Sequence, residues 1–129
     1  MAQTPAIEDD EFVLRHIPGG SEWQAPGPRI TSYNFRLRRE QGETGVSVTR
    51  LRITAPEKLL TLVKATPESR VAAAQVANVR ALGLRVVPKP VDEDPGHAEI
   101  QSDIADLDNH SVRKRLAKIF RFVAVTLSS

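Results

Sequence analysis

His97 and Glu99 stand two residues apart in the string HAEI at 97–100. Histidine titrates near neutral pH and glutamate can take or return a proton, so the pair has the composition of a general acid–base set. His16 is the third member of this candidate catalytic group. In an extended chain, residues two apart share a face, which would set His97 and Glu99 side by side. An ordinary polar sheet face has the same spacing. A catalytic role therefore requires a concave pocket and another titratable group within hydrogen-bond reach. The three histidines with Asp92, Asp94 or Asp106 are also the residue types of a nitrogen–oxygen metal site. No two histidines have the i, i+4 spacing of a helical ligand pair, so neither a metal nor a cofactor is expected. The 129-residue chain has no cysteine, which removes disulfides, thiolate ligands and cysteine nucleophiles together. It also lacks a Walker motif, G-x-G-x-x-G and G-x-S-x-G.

Arginine offers a second kind of chemistry. Residues 29–53 read as a β-hairpin: RITSYNFRLRR, a polar turn EQGET containing Gly42, and GVSVTRLRI. Strand alternation puts Thr31, Tyr33, Phe35 and Leu37 on one face of the first arm, and Ser32, Asn34, Arg36 and Arg38 on the other. Folding the second arm back adds Leu51 and Ile53 to the Tyr33/Phe35 side. Arg50 and Arg52 join Arg36 and Arg38, with Val46 and Val48 between them. The bland reading of that face is solvated polar surface. The sharper one is a positive ribbon for phosphates or an acidic protein surface, extended by Arg113, Lys114 and Lys118 near the C-terminus.

The other elements follow from periodicity and punctuation. Residues 1–9 are polar and acidic and read as a disordered tail, leaving 10–126 as a single α+β domain. Residues 11–17 alternate as a strand, with Phe12, Leu14 and His16 on one face and Val13, Arg15 and Ile17 on the other. A Pro/Gly-rich loop to Pro28 carries Trp23, read as a lid over the core edge. Thr54 and Glu57 make a capping-box pattern for a short helix over 55–64, with Leu59, Leu60 and Val63 as its apolar stripe. Residues 66–82 fit either one long helix or a strand at 70–73 followed by a helix from about 75 to 82. Short strands are expected at 84–87 and 97–101, with Ala98 and Ile100 facing inward. Val112, Leu116, Ile119, Phe120 and Val123 recur at helical spacing, with Asn109 or Ser111 as N-cap.

H-A-E also resembles the zinc-ligand and proton-shuttle string of cytidine deaminases, but those enzymes need a P-C-x-x-C pair that a cysteine-free chain cannot supply. LRHIP at 14–18 resembles the L-R-H-K-P string of RNA 2′-phosphotransferases; there it lies on a helix, here its flanks alternate as a strand, and nothing is carried over. Taken together, LRHIP, SYNF, VSV, RALG and HAEI resemble a group of small bacterial proteins with an R-x-I-P-like start and an H-A-x-I near the end. That resemblance implies a bacterial origin and no particular activity.

Composition is that of a globular domain, 40% apolar and 26% charged with a net charge of +2. No apolar run is long enough to span a bilayer, and the acidic N-terminus is unlike a signal peptide, so a cytoplasmic protein is expected and no membrane partner. The expected fold is α+β: a mostly antiparallel sheet of about five strands with two or three helices on one face, the C-terminal amphipathic helix packed on the sheet. The expected function is a non-enzymatic accessory or protein-interaction domain of a bacterial cytoplasmic system, with an unknown protein partner or a homodimer mate. The alternatives are a nucleic-acid-binding module using the arginine face and the basic helix, and a small histidine/carboxylate enzyme such as a nuclease or transferase.

Overall fold

Alternation of Val13 and Ile17 against Leu14 and His16 builds the first strand, β1 (Phe12–Ile17), and the sheet grows on both its sides. The computed structural model describes residues 5–18, 30–37, 43–63, 65, 69–103, 107 and 109–125, with the backbone alone at Tyr33. Trp23, Arg38, Gly42 and Asp106, and with them the lid, the hairpin turn and one proposed ligand, lie outside the described residues.

The remaining elements are β2 (Val46–Arg50), α1 (Pro56–Leu62), β3 (Arg70–Gln75), α2 (Val76–Arg80), β4 (Arg85–Pro88), β5 (His97–Gln101), α3 (His110–Ile119) and β6 (Arg121–Val123). The six strands form one sheet in the order β4-β5-β2-β1-β3-β6, and every pairing is antiparallel. The α+β class is as expected, with six strands where about five were read. The ambiguous stretch resolves as strand then helix: β3 runs straight into α2, and Gly83 at φ +83° follows.

Helices lie on both faces rather than one. On the first face, Val13, Ile17, Val46, Val48, Ala72, Ala74, Ala98 and Ile100 meet Val76 and Val79 of α2, Leu116 of α3 and Phe120 just after it. The second face is thinner: Leu14, Val71 and Ala73 are covered by Leu59 and Leu60 of α1. Each fully buried valine, leucine, isoleucine or phenylalanine contributes about 1.5–3 kcal/mol and the alanines less, so the first face, with more of the large side chains, dominates stability.

Local chemistry overrides pattern in four places. Residues 32–35 form a 3₁₀ turn, not a hairpin arm, because the Thr31 N–H donates to Asn34 Oδ1 at 2.7 Å. Residues 51–54 are a turn, which leaves Leu51 exposed and Ile53 half-buried. The Thr54/Glu57 capping box does not form, for α1 starts after Ala55 without a side-chain cap and the Thr54 hydroxyl bonds Asp94. The C-terminal helix stops at Ile119, so Val123 sits on a strand and packs with the second core; Asn109 is its N-cap, accepting from the Ser111 N–H at 2.8 Å. The tail reading also fails for residues 5–9, because Ile7 is buried and the carbonyls of Pro5 and Ala6 accept hydrogen bonds from Arg50.

Candidate functional site

β1 is joined unequally to its neighbours. It pairs with β3 along six residues, from Phe12↔Gln75 to Ile17↔Arg70. With β2 it shares only Val13↔Arg50 and Leu14↔Thr49. Past Leu14 the two strands are no longer paired, and a cleft of about 550 Å³ lies there on the thinly covered face. Leu14 and His16 reach it from β1, and Ser47 and Thr49 from β2. His97 lies opposite Thr49 on β5. Leu59, Leu62 and Val63 make an apolar wall.

Three devices hold this shape. Arg15 braces the gap: its Nε and Nη2 donate to the Asn34 carbonyl at 2.9 and 2.7 Å, and its Nη1 to the Ser47 carbonyl at 2.6 Å. The guanidinium also stands 5.6 Å from the Phe35 ring centroid, within cation–π range. At the other end, buried Asp94 accepts from Thr49 Oγ1 at 2.8 Å, Thr54 Oγ1 at 2.6 Å and the Gly96 N–H at 3.0 Å. That ties the 91–96 turn to β2 and to the approach to α1. Gly96 is required there, since a Cβ would stand 2.7 Å from Thr54 Oγ1. Glu93 and Val91 form the rim on this side, and Asn34 and exposed Arg36 on the other.

Two of the three candidate catalytic residues meet in the cleft. The Nδ1–H of His97 donates to the Lys89 carbonyl at 2.9 Å, which selects a tautomer whose Nε2 carries the lone pair. His16 places Nε2 at 2.9 Å from Ser69 Oγ. Burial first, and the Arg15 charge second, hold its pKa below the ordinary 6.5. Glu99 does not line the cleft. Its carboxylate accepts from Thr44 Oγ1 at 3.3 Å and Gln101 Nε2 at 3.0 Å. Among the described residues, His97 has no titratable hydrogen-bond partner, and no three histidine, aspartate or glutamate side chains are placed to hold a metal.

The four-arginine face does not assemble. Arg50 is fully buried on the first face, its Nε and Nη2 donating to Glu11 Oε1 and Oε2 at 2.9 and 2.7 Å. Val46 and Val48 share its parity, and that parity is the core. Arg52 is half-exposed and 3.5 Å from the same glutamate. Arg36 is exposed and lines the cleft, which neither Arg50 nor Arg52 does. On α3, Lys114 and Lys118 are exposed and Arg113 is half-buried.

Thr49 carries no mark in the sequence; Asp94 stands in the sequence reading only as a possible metal ligand and Asn34 only as a neighbour of the arginines, not in the roles that they hold here. Asp-Pro-Gly at 94–96 was the available signal for Asp94, an acceptor poised to bond the backbone two residues on. Nothing local marks Thr49, whose role depends on β5 and a turn more than forty positions away. Among the described residues no helix is long and apolar enough to cross a membrane. No protein-family model, curated protein or solved structure matches the chain.

Proposed function

We propose that this chain is a non-enzymatic protein-interaction domain of a bacterial cytoplasmic system, and that the cleft between β1 and β2 is where it holds its partner. The observation that carries the reading is the cleft itself: an opening of about 550 Å³ with an apolar helical wall and a polar floor, braced by Arg15 and Asp94. Clefts of this size and mixed lining are the usual form of binding sites. The histidines in it are set apart from Glu99, so the particular pair that the HAEI string offers does not come together there. The bacterial and cytoplasmic parts rest on the short-string resemblance and on composition.

The test compares three forms of the protein as bait in lysate from its native host. Leu62→Trp fills the cleft from the helix side, and Lys114→Ala alters the opposite face. The reading expects a protein retained by wild type and by Lys114→Ala and lost by Leu62→Trp, with all three melting alike. Identical retention by all three, or no retained protein, would overturn it.

One observation favours a second reading, a small histidine enzyme. His97 has its tautomer fixed by a backbone carbonyl, the usual preparation of a general base. A turnover lost in His97→Gln and kept in Glu99→Gln would support it. The nucleic-acid reading has less behind it, since Arg50 is sealed in the core.

A further inference from the structure

We propose that the partner segment held in the cleft is extended and carries a lysine, whose ammonium sits at the 91–97 end. This rests on the protein-interaction reading and names the chemistry of the partner.

Three acceptors line that end. The Asp94 carboxylate is buried and held by three neutral donors, with no cation among the described residues paired to it. Glu93 is exposed at the rim and has no hydrogen bond or ion pair among the described residues. His97 has committed its Nδ1–H to the Lys89 carbonyl, so Nε2 presents a lone pair. A lysine ammonium brings three donors and no acceptor. Its donors rotate freely, which suits acceptors drawn from a carboxylate and an imidazole better than a planar guanidinium does. Its aliphatic stem would lie against Leu62, Val63 and Val91 while the charge stays at the rim.

The other end supplies the complement. Asn34 is 5% exposed and lines the cleft. Its Oδ1 accepts from the Thr31 N–H, which fixes the amide orientation, and its Nδ2 has no hydrogen-bond partner. A peptide carbonyl is the acceptor that a partner backbone brings to such a donor. Asp94 hangs on Thr49, and Asn34 is joined to Ser47 through the Arg15 guanidinium. Asn34 and Asp94 therefore line one cleft from different sides of the β1–β2 gap. A segment that crosses the cleft in extended form, with no internal backbone hydrogen bonds, has carbonyls free for the first and a side chain free for the second.

Fluorescence anisotropy with labelled hexapeptides tests this. Each is made of alanine and leucine around one variable position: lysine, norleucine, Nε-acetyl-lysine or glutamate. The lysine peptide is expected to bind wild type about tenfold more tightly than the norleucine and acetyl-lysine peptides, the worth of one charge-assisted hydrogen bond. Glu93→Gln, an exposed and structurally harmless change, should erase that difference. Asn34→Asp keeps the acceptor for Thr31 and should weaken every peptide alike. Equal binding of lysine and norleucine peptides overturns the proposal, and so does lysine-peptide binding untouched by Leu62→Trp. Competition by free lysine at the same concentration overturns it in favour of a small amine. If Leu62→Trp still loses a lysate partner while the peptides do not differ, the interaction reading stands and the lysine chemistry alone falls.

Discussion

Glu11 and Arg50 form a buried pair in which neither charge can be removed alone without cost. Glu11→Ala would leave a guanidinium buried with only carbonyl acceptors, and is expected to lower stability by about 3–5 kcal/mol in a urea titration. Burial by itself would raise the Glu11 pKa. The Arg50 hydrogen bond, the Glu8 N–H and the charges of Arg50 and Arg52 outweigh it, and hold it below 4.5. A depressed carboxyl contributes stability that is complete above 4.5 and is lost as pH falls through its lower folded value. Glu11→Gln should therefore flatten the acid limb of a melting-temperature profile taken from pH 5 downwards. His16 acts in a higher window. Its folded pKa lies below 6.5, so as pH drops past 6.5 the unfolded chain binds a proton that the folded chain resists, and stability falls. His16→Gln should remove that part of the slope, and the wild-type imidazole should titrate below 6.5 by NMR. At this scale the sequence misled in one instructive way. Parity groups Arg50 with Val46 and Val48, and an arginine on a strand suggests a wet face where the structure has a dry one. The two valines were the better guide, because a buried arginine needs only one acid, and Glu11 lies thirty-nine positions away where no local pattern reaches.

Elements whose identity depends on their own residues were legible. β1, β5 and α3 follow from alternation or from an apolar stripe, and Asn109 caps α3 as its residue type allows. Leu116→Ala and Phe120→Ala should each cost about 2–5 kcal/mol, because both side chains are buried against the sheet and the Phe120 ring lies 4.9 Å from that of Phe35. Asn109→Ala should cost about 1 kcal/mol by leaving the Ser111 N–H uncapped. Elements set by a distant partner were not legible. The Thr54 hydroxyl abandons the helix for Asp94, forty positions on. TSYN is a different case, for its turn is closed locally by Asn34 Oδ1 although its continuation alternates like a strand. Gly45 shows the same dependence as Thr54. A Cβ there would stand 2.7 Å from the Ile100 carbonyl on β5, so Gly45→Ala should lower stability by about 1–3 kcal/mol, measured by thermal melting, through overpacking at the start of β2.

Among the described residues the sheet consists of two three-stranded ladders, β4-β5-β2 and β1-β3-β6, meeting at a seam of two residue pairs. The six-pair ladder between β1 and β3 should show the slowest amide exchange, and β6, held by three pairs at the sheet edge, the fastest among the strands. Equal protection across all six strands would count against this division. The sequence could supply each strand but not their order, which depends on pairings between segments as distant as β2 and β5. The seam has a consequence for motion. Every ladder carries its own right-handed twist, and strands joined along their full length must share it. The seam itself is reinforced by the Leu51 N–H on the Phe12 carbonyl and by the buried Glu11–Arg50 pair, and one core runs beneath both ladders. Past Leu14, where β1 and β2 are no longer paired, the two strands need not share one twist. The cleft is the place where a single sheet relaxes that difference, and a guest touching both β1 and β2 would be expected to slow amide exchange at the strand ends beside it.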